Sequence, residues 1–224
     1  MISVANTIAV AMRRMLKRSM RLDHDAANVD PVQSGARQAG QLYVHIPFCP
    51  SLCPFCTFHR TKFRAERALP YFAAVHREID RYHEAGFAFQ DLYIGGGTPT
   101  VLPDALGALI DHARSRFALR HIAVETNPSH LTEPIMARLA AASVNRLSVG
   151  VQSFDDGLLA RMGRHAYGTR REIIAALEGA QGYFATLNVD MMFNLPARPI
   201  GSSTMTSTRF CRSMPSIRRR SIRS

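Results

Sequence analysis

Three cysteines in one short run are the residues of this sequence best suited to chemistry. They lie in Cys49-Pro-Ser-Leu-Cys53-Pro-Phe-Cys56, directly after an apolar stretch at residues 42–46. Thiolates from one loop can bind a single metal centre, and iron–sulfur clusters are held mainly by such thiolates. Three protein ligands on a four-iron cluster would leave one iron open for a small chelating ligand. The alternative is a Cys3His zinc site, since His59 follows closely.

A glycine-rich run, Gly95-Gly-Gly-Thr-Pro99, follows a second apolar stretch. Glycine lets a ligand approach the backbone where a Cβ would block it. The spacing is not the dinucleotide-binding GxGxxG, and no lysine follows as it does in a P-loop. Taken alone the run is a tight turn, but at the end of a strand it becomes a candidate ligand contact.

The elements that must position these residues alternate between strand and helix. Apolar patterning predicts strands at residues 42–46, 91–94, 121–125, 146–150 and 187–192, and helices at residues 65–85, 103–117, 133–142 and 169–182. This order predicts βα units and parallel strands, because a parallel connection needs a crossover element. Each motif falls just beyond the carboxyl end of a strand, where α/β folds place their sites. Five strands do not close an eight-stranded barrel, so we expect an α/β fold with a partial, open βα barrel.

Three segments are predicted along the chain. Residues 1–40 read as an N-terminal extension, a basic amphipathic helix followed by a linker, and residues 41–196 hold the βα core. Residues 197–224 form a tail rich in serine and arginine, without acidic residues or any periodicity typical of a strand or helix. We expect this tail to be disordered or translated out of frame, so that the core is incomplete at its C-terminus and the strand at residues 187–192 has no sixth strand beside it.

Composition excludes several classes of protein. Hydrophobic residues make up 46% of the 224, too many for a disordered chain, and no apolar run is long enough to span a membrane. Four cysteines do not make a disulfide scaffold, so we expect a cytoplasmic protein with reduced thiols. The formal net charge of +11 comes from 28 basic and 17 acidic residues. Seven arginines in the tail account for most of it, which argues against a nucleic-acid partner.

Five motifs in order resemble one enzyme family. The run Tyr43-Val-His-Ile-Pro-Phe-Cys49 with the two further cysteines resembles the cluster loop of radical S-adenosylmethionine enzymes. More narrowly it resembles the oxygen-independent coproporphyrinogen III oxidase family, with its relatives the heme chaperone and the anaerobic heme-degrading methyltransferase. The later motifs are Gly95-Gly-Gly-Thr-Pro-Thr100, Val124-Glu-Thr-Asn-Pro128, Arg146-Leu-Ser-Val-Gly-Val-Gln-Ser-Phe154 and Val189-Asp-Met-Met-Phe-Asn-Leu-Pro196. The resemblance covers residues 41 to about 196.

The resemblance implies a radical S-adenosylmethionine barrel and its chemistry. Cys49, Cys53 and Cys56 would hold a [4Fe-4S] cluster whose open iron is chelated by S-adenosylmethionine. Reductive cleavage of that molecule would give a 5′-deoxyadenosyl radical. The resemblance therefore implies an oxidoreductase of the coproporphyrinogen dehydrogenase type. The implied partners are a small-molecule tetrapyrrole or heme and an electron donor such as flavodoxin or ferredoxin.

The resemblance also assigns cofactor contacts. Tyr43, Gly96 and Glu125 would contact the cluster-bound S-adenosylmethionine. A second molecule nearby would meet Phe55, Gly97, Thr98, Gln152, Arg164 and Asp190. Two alternatives stay open from the residues themselves: Arg164 as a solvated charge at a helix end, and His45 as a structural histidine rather than a ligand.

Two departures from the family pattern matter. The oxidase motif has a fourth cysteine two residues beyond the third, and this chain has Phe58 there. An aromatic residue fits the chaperone and the methyltransferase better. The family also continues past the strand that carries Asp190 with a further βα unit and a C-terminal domain. An inactive, truncated fragment is therefore a further alternative.

Overall fold

The computed structural model describes residues 40–192 and the backbone of residues 217–222. The helix and linker predicted before residue 40 lie outside the described residues, as do residues 193–216 and 223–224 of the predicted tail. None of the helices in the described ranges has an apolar stretch long enough to cross a membrane.

Parallel strands form the centre of the described chain. In chain order the strands are β1 (Gln41–Ile46), β2 (Phe48–Cys49), β3 (Thr61–Lys62), β4 (Asp91–Gly96), β5 (His121–Thr126), β6 (Arg146–Gln152), β7 (Thr186–Met192) and β8 (Ile217–Ile222). One six-stranded sheet has the order β1-β4-β5-β6-β7-β8, and β2 pairs with β3 beside it. Every pairing is parallel. The sheet is open over the described residues, which confirms the predicted α/β fold with a partial βα barrel.

Helices make the crossovers between consecutive strands from β3 to β7. They are α1 (Ala65–Glu84), α2 (Pro103–Arg116), α3 (Glu133–Ala141), α4 (Asp156–Arg161) and α5 (Arg170–Gly179). Four of them lie where the apolar periodicity predicts helices. The short helix α4 is not predicted, because six residues are too few for a periodic pattern to be recognised. Its start is fixed by Asp155, whose side chain accepts a hydrogen bond from Leu158 N.

The core lies between the sheet and the helices. Ile94 of β4 and Leu147 of β6 are fully buried, and so are Leu106 and Ile110 on one face of α2. Burial of this apolar surface is the main stabilising contribution to such a fold. The carboxyl ends of the strands, which carry the sequence motifs, are left at one edge of the sheet.

The prediction that β7 has no neighbouring strand on its outer side is wrong. The backbone of β8 pairs with β7 in parallel, from Leu187 opposite Ile217 to Met192 opposite Ile222. A strand edge presents unpaired N–H and C=O groups, and any extended backbone satisfies them whatever its side-chain pattern. Apolar periodicity therefore gave no sign of this strand. The assignment of the rest of the tail stays a prediction.

Candidate functional site

The cysteine loop begins where β1 ends and is closed at its base by backbone hydrogen bonds. Thr61 N donates to Pro47 O at 2.7 Å, and Phe63 N donates to Cys49 O at 2.9 Å. These bonds tie the two ends of the loop together as the β2–β3 pair. The position of Cys49 is thereby fixed by the sheet rather than by the loop alone.

Arg60 holds the interior of the loop. Its Nη2 donates to the carbonyl oxygen of Cys53 and, at 3.1 Å, to that of Cys56. Cys56 N also donates to Cys53 O at 3.2 Å, so the two cysteines lie in one tight turn. Cys49 and Cys53 are buried, Cys56 is half-buried, and all three thiols are free. Sequence spacing indicated the cysteines but gave no sign of this arginine.

The three cysteines open onto a cavity of about 430 Å³ at the carboxyl edge of the sheet. All the predicted cofactor contacts except Tyr43 line the same cavity, namely Phe55, Gly96, Gly97, Thr98, Glu125, Gln152, Arg164 and Asp190. These residues lie in or just after five different strands and one helix. The structure therefore brings together groups that lie far apart in the sequence.

The glycine run packs against the cysteine loop. Gly97 N donates to Ile46 O and Thr98 N donates to Phe48 O, both at 2.8 Å. A Cβ on Gly97 would lie 2.7 Å from Phe48 O, and one on Gly96 would lie 2.6 Å from the ring of His45. Gly96 also has a φ of +115°, which side chains rarely adopt. Glycine is therefore needed at positions 96 and 97 so that this run can pack against the cysteine loop. The sequence suggested a different reason, the approach of a ligand to the backbone.

Glu125 is held at the cavity wall by two donors. Tyr93 OH donates to Oε1 at 2.5 Å and Gly96 N donates to Oε2 at 3.1 Å. Each carboxylate oxygen can accept more than one hydrogen bond. The half-buried carboxylate therefore keeps acceptor capacity for a ligand in the cavity.

Tyr43 lies beside this wall but is not part of the cavity lining. Its ring stacks on Tyr93 at 5.9 Å between centroids, its side chain is 54% exposed, and its hydroxyl lies 2.9 Å from His45 Nδ1. Partial burial and the negative charge of Glu125 raise the pKa of Tyr43. Its predicted contact with a cofactor stays a prediction. His45 also bonds His59 O through Nε2 at 2.8 Å, which confirms it as a structural histidine.

The three thiols supply the type of ligand that an iron–sulfur cluster needs. His59, the fourth ligand of the zinc alternative, is exposed and its ring lies 6.1 Å from that of His45. Within residues 40–192, no three His, Cys, Asp or Glu side chains gather closely enough to hold one metal ion. Zinc ligands must meet at one point, whereas the cysteines of a cluster each bind a different iron. Three free thiols around one cavity meet the second requirement.

A buried chain of polar side chains leads from Cys53 to Thr98 of the glycine run. Arg164 Nη1 donates to Cys53 Sγ at 3.4 Å, and its Nη2 donates to Asn127 Oδ1 at 2.9 Å. Asn127 Nδ2 in turn donates to Thr98 Oγ1 at 2.7 Å. Burial raises the pKa of the Cys49 thiol, and a hydrogen bond from Thr98 partly offsets that rise. Arg164 is only 6% exposed, so the alternative of a solvated charge at a helix end is wrong.

The ring of Tyr167 packs against Arg164, one member of this chain of polar side chains. The Cζ of Arg164 lies 4.4 Å from the centroid of the Tyr167 ring, which is favourable for a cation over an aromatic face. Tyr167 OH donates to Ser51 O at 3.0 Å. Burial and the nearby Cys53 sulfur raise the pKa of Tyr167 to about 12, so the hydroxyl keeps its proton. No sequence motif indicated this residue.

A bulge in β6 turns Gln152 toward the cavity. The register of β6 against β7 shifts between Gly150 and Gln152, and Gln152 has a φ of +71°. A non-glycine residue in this region costs of order 1–3 kcal/mol, and such residues cluster at functional sites. Asp190, 7% exposed, lies opposite Gly150 in β7 and reaches the same cavity.

Known proteins resemble this chain over most of its length. Residues 43–198 match the family model of the radical SAM superfamily. The chain is 34% identical to the heme chaperone HemW of Bacillus subtilis over 166 residues, which are 70% of this chain and 43% of that protein. It is 32% identical to the oxygen-independent coproporphyrinogen III oxidase of Salmonella typhimurium, with 83% of this chain and 42% of that protein covered.

The same relationship appears in three dimensions. The solved structure of coproporphyrinogen III oxidase (HemN) from Escherichia coli, a radical SAM enzyme, superposes with a TM-score of 0.73 at 29% identity. The superposition covers 85% of this chain and 46% of that one, so the chain spans less than half the length of the relatives it matches. With the sequence match across residues 43–198 and this shared fold, the chain belongs to the radical SAM superfamily, among the relatives of HemW and HemN.

Proposed function

We propose that this protein binds a [4Fe-4S] cluster through Cys49, Cys53 and Cys56 and cleaves S-adenosylmethionine reductively in tetrapyrrole metabolism. The observation that carries the proposal is the convergence of three free thiols and a lined cavity at one edge of the sheet. Membership in the superfamily implies both cofactors. The thiols and the cavity supply the ligand type and the space that they need.

A cluster held by the three cysteines would supply the electron for reductive cleavage of S-adenosylmethionine, and the protein would supply binding, orientation and exclusion of water. Glu125, fixed by Tyr93 and Gly96, accepts hydrogen bonds from the ribose hydroxyls or the ammonium group. Thr98 and Asn127 line the cavity, are buried and are hydrogen-bonded to each other.

A second S-adenosylmethionine is part of what the resemblance implies. Phe55, Gln152, Arg164 and Asp190, which match its contacts, line the cavity with the glycine run. A volume of about 430 Å³ lies in the range that holds one small ligand. We therefore propose one S-adenosylmethionine in this cavity and keep the second as a prediction.

The first candidate substrate is a coproporphyrinogen-like tetrapyrrole, as in the oxidase that this chain resembles. The second candidate function is that of a heme chaperone, and Phe58 favours it. This residue replaces the fourth cysteine of the oxidase motif and lies at the rim of the cavity with 63% of its surface exposed. The heme-degrading methyltransferase is a third member of the same group.

One experiment separates these functions. Anaerobically reconstituted, reduced protein is supplied with S-adenosylmethionine and then with coproporphyrinogen or with heme. The first candidate predicts release of 5′-deoxyadenosine and decarboxylated porphyrinogen. Stable heme binding with an unchanged porphyrinogen would support the chaperone function. If S-adenosylmethionine is not cleaved under any of these conditions, the proposed chemistry is wrong.

A further inference from the structure

Arg164 is a buried cation, and within residues 40–192 its contacts supply no full negative charge. Nη1 and Nη2 reach Cys53 Sγ, Asn127 Oδ1 and Gly150 O, and the planar group lies over Tyr167. Over the described residues its Nε is buried without a hydrogen-bond partner. Burying a guanidinium without an anion is costly. A negative charge beside Cys53 would therefore offset the cost of burying Arg164.

The side chains attached to Arg164 hold it from a second direction. Asn127 accepts from Arg164 and donates to Thr98, whose backbone N–H donates to Phe48 O next to Cys49. Each member of this chain is at most 7% exposed. A side chain whose only task was to bind a small ligand in the cavity would not need a hydrogen bond to a cysteine sulfur.

We propose that Arg164, held in place by Asn127 and Thr98, positions Cys53 and raises the reduction potential of the cluster that Cys53 helps to hold. This rests on the proposed function. A reduced cluster with its thiolates carries more negative charge than an oxidised one. Hydrogen bonds and positive charge at the sulfurs stabilise that form, and they are among the factors that set the potential of iron–sulfur clusters.

This role differs from contact with a second S-adenosylmethionine in one measurable way. A group that only binds that ligand has no effect on the cluster while the ligand is absent. A group that donates to a cluster thiolate changes the potential whether or not the ligand is bound. The midpoint potential of the protein free of S-adenosylmethionine therefore distinguishes the two roles.

The experiment compares reconstituted full-length variants by redox titration without S-adenosylmethionine. Arg164→Gln removes the charge, and Arg164→Lys keeps it while losing the fork that reaches both Cys53 and Asn127. Arg161→Gln is the matched control, since this exposed arginine lies three residues earlier, at the end of α4, and carries the same charge. We expect a more negative potential in Arg164→Gln, a smaller shift in Arg164→Lys and no shift in the control. Iron affinity should fall by about 10- to 100-fold in Arg164→Gln, the usual cost of removing a group that orients a metal ligand.

Thr98 provides a second, less disruptive pair of variants. Thr98→Val removes the hydroxyl with little change of shape, whereas Thr98→Ser keeps it. Thr98→Val should also lower the potential, and Thr98→Ser should not. If the wild type assembles its cluster and the potentials of Arg164→Gln and Thr98→Val equal its own, the inference is wrong and the proposed function stands. If the wild type takes up no iron, the proposed function fails and this inference fails with it.

Discussion

Arg164 Nη1 lies 3.4 Å from the Sγ of Cys53, although 111 residues separate the two in the sequence. The contact joins the segment that follows β6 and α4 to the loop that follows β1. Parallel strands place their carboxyl ends at one edge, so both segments emerge side by side. The site is thus assembled from the two sides of the described sheet, and its integrity depends on the register of β4, β5 and β6 between them.

Substitution of Glu125 should weaken S-adenosylmethionine binding without loss of fold. Glu125→Gln keeps the shape of the side chain but removes the charge that Tyr93 OH and Gly96 N now stabilise. A hydrogen bond to a charged group contributes about 1.5–3 kcal/mol, so we expect a loss of affinity of roughly 10- to 100-fold. Anaerobic calorimetry of the reconstituted protein measures it. The exposed Glu133→Gln is the control, and equal affinities in both variants would remove Glu125 from the binding site.

Gly97→Ala should disrupt the cysteine loop. Its Cβ would meet Phe48 O at 2.7 Å, and neither backbone can move without breaking the bond between Thr98 N and Phe48 O. Overpacking of this kind costs about 1–3 kcal/mol, which denaturant unfolding of the metal-free protein would detect. Gly179→Ala at the end of α5 is the control, since nothing lies within 4 Å of its Cβ position. A Gly97→Ala variant as stable as that control would contradict the close packing.

Removal of the Tyr167 hydroxyl should loosen the same loop by a smaller amount. Tyr167→Phe keeps the ring under Arg164 but leaves Ser51 O without its donor. The expected loss of unfolding free energy is about 1 kcal/mol, measured by denaturant unfolding. Tyr183→Phe, in a half-exposed position, should cost nothing measurable. Equal stability of the two variants would mean that the bond to Ser51 does not hold the loop.

Stability should fall in mildly acidic solution because of His130. Burial lowers the pKa of this histidine, whose Nδ1 lies 2.8 Å from Thr100 Oγ1. Below the ordinary pKa of 6.5 the unfolded chain takes up a proton that the folded chain does not, so stability is present above this pH and is lost as pH falls toward the lowered value. His130→Asn should flatten the decline of unfolding free energy just below pH 6.5. An unchanged slope in that variant would assign the decline to other groups.

Much of the fold could be predicted because its signals are local. The apolar strands and the periodicity of α1, α2, α3 and α5 fixed the order of elements to within a few residues at each end. The cysteine spacing likewise indicated a metal centre, since the ligands are neighbours in the chain. Strand β8 carried no such signal, because its pairing with β7 is a property of the backbone.

The residues that hold the site in place could not be predicted from local sequence patterns. Asn127 and Tyr167 act through contacts that cross large stretches of sequence, to Thr98 and Ser51 respectively. Arg60 is close to the cysteines in sequence, but nothing in its spacing shows that it binds two of their carbonyl groups. The bulge that turns Gln152 inward depends on how β6 pairs with β7, which no single segment encodes.

Metal analysis of the anaerobically reconstituted protein tests the central claim most directly. We expect a brown protein with about four irons per chain, because three cysteines and one exogenous ligand complete a [4Fe-4S] cluster. Replacement of Cys49, Cys53 or Cys56 by alanine should abolish the cluster. Replacement of Cys211, the fourth cysteine of the sequence and outside the loop, should leave it intact. Tightly bound zinc with no uptake of iron, or a full complement of iron in the Cys53→Ala variant, would contradict the account.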